Sequence, residues 1–318
     1  MNVMKIGSTE IMPVLDGLLV SRQQGTKPLP SPDTLAWQDQ GGMFHPNGTH
    51  ESALGGFLVR TGDRLVLVDA GAGPAQDGYA PPVVDADDPD DFIAGSLRRH
   101  GFPEERVRAF AADIALTRLT TGRLPASLEG LGVSPADITD VVLTHLHFDH
   151  IGWLAVGDQP FFPNATIHCA TADLDYFLGR PDEDRFSAQV FQVLPAADRL
   201  APVLDRFESW DGDTTFLPGF DIRLTSGHTP GSSVVVLSSG TERAMLLGDM
   251  VHCPLELMDD DFNLFADHDH ELANGVREAY ARELEGTGIY AAAAHFPGLR
   301  FGRLMPSGAE GVRRWIFE

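Results

Sequence analysis

With 318 residues, 43 % of them hydrophobic, the chain can bury roughly 75 % of its unfolded surface in one large or two ordinary domains, which excludes a disordered protein. Its 46 acidic against 23 basic residues leave a formal charge of -23, which repels phosphate backbones and anionic lipids and excludes nucleic acid as a general partner. Two cysteines, Cys169 and Cys253, are too few for a disulfide framework, and no stretch approaches about 18 uninterrupted apolar residues, so the expectation is a cytoplasmic protein without export signal or membrane span.

In chain order, residues up to about 50 read as an N-terminal arm. Residues 57–73, FLVRTGDRLVLVDAGAG, alternate around a Thr-Gly-Asp turn and predict a β-hairpin running into a glycine-rich loop. Residues 74–103, with the run DADDPDD, read as a surface insertion. Helical spacing follows to Gly132, and Ser134-Pro135 caps a short helix. Strands are predicted at VVLT after Asp140, at 164–170, 221–226, 233–239, 244–248 and 290–294. Helices are predicted at 171–200 and 267–285, the latter capped by Asp267. There is no internal repeat of 20 to 50 residues, so a single domain over 1–318, of mixed sheets flanked by helices, is the simplest organisation.

Chemistry concentrates in VVLTHLHFDHIGW, residues 141–153. His145, His147, Asp149 and His150 lie just past a strand, where a loop can aim them at one centre that a strand would split between two faces. Imidazoles and carboxylates suit zinc, iron, manganese or cobalt, and a water on such an ion ionises near pH 7. His228, Asp249 and His295 each follow a predicted strand, as ligands gathered at one sheet edge must. Asp267-His268-Asp269-His270-Glu271 has the composition of a metal site, but consecutive helical side chains diverge by about 100°, so it reads as a solvated helix start. His168 reads as a strand residue and Cys169 as packing. His45 and His50 read as surface residues, and Trp37, Met43, Phe44, Trp153, Phe161 and Phe162 as packing residues able to wall a pocket. No serine-nucleophile elbow or phosphate loop is present.

THLHFDH (144–150), SGHTPGS (226–232), GDM (248–250) and AHFPG (294–298), in that order, resemble the metallo-β-lactamase-fold hydrolase superfamily over roughly residues 55–305, with VDAGAG at 68–73 similar to that fold's early Asp-containing loop. The resemblance implies an α/β fold, a four-layer αββα sandwich. It implies that His145, His147 and His228 hold one metal, that Asp149, His150 and His295 hold a second, and that Asp249 bridges them. Two divalent ions are implied, zinc first, with manganese, iron or cobalt as alternatives.

GDMVHCPLEL, the helix after DHDHE and AAHFPGLRFGRL are most similar to the branch holding N-acyl homoserine lactonases and methyl parathion hydrolase. That branch implies a metal-bridging hydroxide attacking a lactone or carboxylic ester, small and neutral, with Asp149, Asp249 and His252 as the catalytic side chains. One departure is plain: where lactonases of that branch carry a tyrosine three residues after the bridging aspartate, this chain has His252. It can polarise an oxygen or act as a supporting residue, and the exchange leans toward phosphotriester (organophosphate) hydrolysis as the alternative. An iron-dependent redox enzyme and a non-catalytic sensor are the readings of other classes. The N-terminal arm resembles segments that pack across dimers in the branch, which leaves a homodimer open.

Overall fold

A computed structural model of the chain describes residues 3–22, 27, 29–75, 79–99, 102–179, 181–260, 262–264, 267–307 and 312–318. The first half runs β1 (Met4–Ile6), β2 (Thr9–Arg22), α1 (Leu35–Gln38), β3 (Thr49–Thr61), β4 (Arg64–Val68), α2 (Phe92–Arg99), α3 (Glu104–Asp113), β5 (Arg118–Thr120), α4 (Leu124–Gly130) and β6 (Asp140–Val142). A small ribbon of β7 (Ala155–Val156) and β8 (Gln159–Pro160) precedes β9 (Thr166–Ala170), α5 (Thr171–Gly179), α6 (Pro181–Phe191), α7 (Ala196–Leu200) and β10 (Phe207–Trp210). The second half is β11 (Thr214–Leu217), β12 (Phe220–Leu224), β13 (Ser233–Ser239), β14 (Glu242–Leu246), α8 (Leu255–Met258), α9 (His270–Leu284), β15 (Tyr290–Ala292), β16 (Gly302–Met305) and β17 (Arg314–Phe317).

One sheet has the order β1-β2-β3-β4-β6-β9-β10, with β5 added against β2; the other runs β11 through β17 in sequence order. The period of two along each strand sorts its side chains into layers. Val235, Leu237, Ala244 and Leu246 join Val68, Val142 and Ile167 in the core shared with the first sheet. Their neighbours Val234, Val236, Met245 and Leu247 turn the other way, onto Tyr280, Ala281 and Leu284 of α9. On the far side of the first sheet, Leu124 and Leu128 of α4, Phe177 of α5 and Leu200 of α7 pack into the same apolar cluster. The result is the expected αββα sandwich, with two mixed sheets. Among the described residues no helix is long and apolar enough to cross a membrane.

Two expectations are corrected. The first fifty residues are not an arm, because β1 and β2 are strands of the first sheet and β2 pairs with β3 along almost its whole length. The reason that arm offered for a homodimer goes with it. Pro13, Asp16 and Gly17 break the strand pattern in the sequence, and the register shifts between Leu15 and Gly17. Asp16 is fully buried at that bulge. Its carboxylate accepts hydrogen bonds from the amides of Ala72, Gly73, Gly122 and Leu124 at 2.8 to 3.1 Å and from Trp153 Nε1 at 2.8 Å. Residues 74–103 are not wholly a surface insertion either, since Val84 and, on α2, Ile93, Ala94 and Leu97 build a small core with Val107 of α3 and Val190 of α6.

Candidate metal centre

The site follows from strand direction. β4 and β6 are parallel, β14 and β15 are parallel, and β12 and β14 both run antiparallel to β13, so β12, β14 and β15 leave their sheet at one edge. The loops after β6, β12, β14 and β15 carry His145–His150, His228, Asp249 and His295 respectively. The loop after β12 is closed by Gly227 N–H donating to the Thr229 carbonyl at 3.0 Å. Gly227 sits at φ +146°, and a Cβ there would lie 2.6 Å from the Ala273 backbone, so a side chain would drive the His228 loop off α9.

All seven side chains singled out in the sequence meet. His145, His147, His228 and Asp249 place their ligand-capable atoms within 4.8 Å of one another, and so do Asp149, His150 and His295. His147 Nδ1 stands 2.9 Å from His145 Nε2 and 3.0 Å from His228 Nε2. Asp249 lies between the groups: Oδ2 is 2.9 Å from His295 Nε2, 3.6 Å from His228 Nε2 and 3.7 Å from His145 Nε2, while Oδ1 is 3.3 Å from His150 Nε2. Asp149 reaches His295 Nε2 at 3.6 Å and His150 Nε2 at 3.9 Å.

A second tier of oxygens fixes the rings. His295 Nδ1 donates to the Ala53 carbonyl at 2.9 Å, since a carbonyl can only accept. His228 Nδ1 lies 3.2 Å from Asp267, His145 Nδ1 3.2 Å from Thr144 Oγ1 and His150 Nδ1 3.0 Å from Asp69. Asp69 adopts φ +63°, a conformation costing on the order of 1–3 kcal/mol, and is held in it by the Thr144 amide and hydroxyl, which donate to its carboxylate at 2.8 and 2.9 Å. Protons committed outward leave lone pairs facing inward. Ring nitrogens 2.9 to 3.0 Å apart beside a buried carboxylate form a donor cluster that positive charge at its centre would stabilise. Neither His150 Nε2 nor Asp249 Oδ1, both buried, finds a hydrogen bond among the described residues. The donor set therefore fits a pair of cations.

Electrostatics agrees. Burial holds His145, His147 and His228 below the ordinary histidine range, with neighbouring imidazoles adding to the effect. Burial also opposes charge on His150 and His295, yet Asp249 and the nearby carboxylates outweigh it and raise both. Burial would raise Asp249, but His295, His150 and His145 hold it well below the usual carboxylate range. The centre thus keeps one carboxylate ionised and draws positive charge toward it.

His252 is drawn in as well. It is 2 % exposed, its Nε2 is 3.5 Å from Asp249 Oδ2, and its ring stacks on His295 with centroids 5.5 Å apart. Burial disfavours its charge, but Glu256 and Asp249 push it up to about 10.

Other expectations divide. His268 packs against Tyr176 and His270 is exposed at the start of α9, and neither belongs to the clustered donor groups. The helix is capped by Asp269, whose side chain accepts from the Leu272 amide, and not by Asp267. Asp267 is instead buried, paired with His228 and Arg277, and lies at about 2: burial would raise it, but the His228 hydrogen bond and Arg277 prevail. His168 is a strand residue, 3.2 Å from Asp140, and both cysteines are buried and free. His50 is fully buried, not on the surface, and burial together with His295 pushes it down to about 3. Met43, Phe44, Trp153 and Phe162 are core residues.

The sequence reading missed the carboxylates behind the loops. Asp173, buried on α5, accepts from the Leu146 amide at 3.2 Å, from Thr229 Oγ1 at 3.0 Å and from the Gly231 amide at 2.6 Å, so one carboxylate braces both histidine-bearing loops. Burial pushes it up to about 6. Glu256, buried on α8, accepts from the amides of His252 and Leu264 at 2.5 and 2.7 Å.

Residues 56–286 match the metallo-beta-lactamase superfamily. The chain is 25 % identical over 181 residues to an N-acyl homoserine lactonase of Bacillus cereus, covering 54 % of this chain and 65 % of that protein. It is 28 % identical over 200 residues to a probable metallo-hydrolase of Mycobacterium tuberculosis, covering 61 % of this chain and 55 % of that one. The chain therefore spans just under two thirds of the first relative's length and about half of the second's. Among solved structures, AidC, a dizinc quorum-quenching lactonase in complex with a product, superposes with a TM-score of 0.69 at 24 % identity over 100 % of this chain and 97 % of its own. A hydrolase of the beta-lactamase superfamily, AbOPH, gives 0.67 at 21 % over 99 % and 96 %. With the fold, the match and the clustered donors in place, the chain belongs to the metallo-beta-lactamase superfamily.

Proposed function

We propose that this chain is a two-metal hydrolase of small neutral carboxylic esters, with lactones as the first substrate class. The observation that carries the reading is the convergence of ring nitrogens of His145, His147, His228, His150 and His295 around the Asp249 carboxylate. His145, His147 and His228 would hold one cation and Asp149, His150 and His295 the other, with Asp249 reaching both. Zinc is the first choice, which the dizinc centre of the lactonase neighbour supports, and manganese, iron and cobalt suit the same donors.

Bound there, the two ions supply water activation near neutral pH and Lewis-acid polarisation of the scissile carbonyl. The chain does the rest. Asp249 fixes the spacing of the two donor groups. Asp149, with one oxygen for each neighbouring imidazole, would take the proton that the attacking water gives up and pass it to the departing alkoxide. The buried walls exclude bulk water and strengthen each polar contact. The net charge of -23 favours neutral substrates over polyanions.

His252 in the tyrosine position favours one second reading, phosphotriester hydrolysis at the same site. The test is a pH-stat screen of lactones, aryl esters and aryl phosphotriesters with metal-free and metal-restored protein, beside elemental analysis. Acid release that vanishes on chelation and returns with two equivalents of zinc is expected. Turnover that survives complete chelation overturns the reading, and iron with oxygen uptake replaces it by the redox one.

A further inference from the structure

We propose that His252 is an additional ligand of the second cation, so that this chain offers that cation Asp149, His150, His295, Asp249 and a further imidazole. The inference rests on the two-metal reading above and goes beyond it, because it adds an eighth side chain to the seven that reading uses.

Three observations carry it. First, position: the ligand-capable atoms of Asp249, His252 and His295 lie within 4.8 Å of one another, a third grouping that shares two residues with the centre already described. Asp249 and His252 are three residues apart in a turned segment, where the Met250 amide donates to the Leu247 carbonyl at 3.2 Å, and both side chains fall on the same side. Second, wiring: each inward-facing histidine with a backing group has its outer nitrogen against an oxygen, namely Thr144 for His145, Asp69 for His150, Asp267 for His228 and Ala53 for His295. His252 has a looser version of this arrangement, with Nε2 3.5 Å from Asp249 Oδ2 and Nδ1 on the Glu256 side, 3.6 Å from its Oε2. An outer carboxylate that keeps the proton on the far nitrogen leaves the near nitrogen a donor to metal, which is the arrangement that metal-binding imidazoles share.

Third, confinement. The His252 ring is stacked on His295 and set edge-on to His228 at 4.9 Å, and it is as buried as the other histidines of the centre. Glu256, held by its two amide hydrogen bonds, pins the ring from behind. A proton donor to substrate needs a nitrogen toward the open pocket, whereas both nitrogens of His252 face fixed carboxylates. A fifth protein donor leaves the second position crowded for tetrahedral zinc and better suited to ions that take five or six ligands, such as cobalt or manganese.

Metal-free protein titrated with Co²⁺ tests this without reference to turnover. Proton NMR counts the exchangeable, hyperfine-shifted imidazole N–H signals, and competition with a chromophoric chelator gives the Kd of each equivalent. Wild type is expected to show one more such signal than His252→Phe, with the second Kd weakened roughly 10- to 100-fold in the variant and the first unchanged. His252→Gln, which keeps a polar side chain of similar reach, is the second variant should the phenyl ring unsettle the fold. Equal signal counts in wild type and variant overturn the proposal and leave the two-metal reading standing. Wild type that binds fewer than two equivalents overturns both.

Discussion

Arg277 donates two hydrogen bonds to the Asp267 carboxylate, at 2.8 and 2.9 Å, behind His228 of the candidate metal centre. The same guanidinium donates through Nε to the Met250 carbonyl at 2.7 Å, next to Asp249, and Asp267 lies against His228. One side chain on α9 therefore positions parts of both donor loops.

Breaking that pair leaves buried carboxylates without their cation. Arg277→Met is expected to lower the unfolding free energy by about 3–5 kcal/mol, measured by urea unfolding. Asp267→Asn leaves the buried Arg277 guanidinium without this carboxylate and is expected to cost a comparable amount; it should also weaken the first cation roughly 10- to 100-fold, since the outer acceptor of His228 loses its charge. Unchanged affinity in a chelator competition would contradict that role.

Asp249→Ala removes the one carboxylate that reaches both donor groups. The variant is expected to retain at most one metal equivalent after gel filtration and to lose ester and lactone turnover by at least about 10²-fold. Two equivalents found by elemental analysis would contradict the bridging role.

Asp173 gives a pH signature. Its carboxyl is pushed up to about 6 in the folded chain, above an unfolded value of 3.8, so the folded state binds the proton more tightly. Stability is then gained by protonation and falls as pH rises from about 4 through 6. Asp173→Asn cannot titrate, so the stability difference should move in the variant's favour by roughly 2–4 kcal/mol between pH 4 and 7. Urea unfolding of metal-free protein at the two pH values checks this, and a constant difference would refute it.

Gly152, two residues past His150, lies against the loop after β4. A Cβ there would stand 1.9 Å from the Ala72 carbonyl carbon and 2.2 Å from the Gly73 amide nitrogen. Gly152→Ala must separate two backbones and is expected to cost at least about 3 kcal/mol, visible as a lowered Tm and reduced metal retention.

The seven donors were legible because each is a polar residue at the end of an apolar strand, and period-two runs such as SVVVLSS and AMLLG locate those ends. The strands read in the sequence are found, while β1, β2, β5, β7, β8, β10, β11, β16 and β17 were not read, and β5 lies in a stretch read as helical. In β2 the proline, aspartate and glycine that hide the strand are the residues that make its bulge and bury Asp16. In the short later strands, too few residues alternate to establish a period. The supporting carboxylates were illegible for another reason. Asp173, Glu256 and Asp267 sit in ordinary helical or loop contexts, and only the chain's return from distant segments turns them inward. Asp267 even carried a competing explanation as a cap, which Asp269 fulfils two residues nearer the helix. The decoy histidines, 268 and 270, were excluded correctly because helical divergence needs no tertiary knowledge.

The donors come from both halves of the molecule. His145 and His147 hang from the first sheet and His228 from the second, as Asp149 and His150 do against His295. Each of the two proposed cation positions takes donors from both halves, so metal affinity acts as a gauge of how far apart the halves rest. The thickness of the apolar filling between them, set by residues such as Val142, Val235 and Leu246, becomes a distant control on the chemistry. Trimming a methyl group there would be felt first as a looser grip on the ions, before any loss of fold.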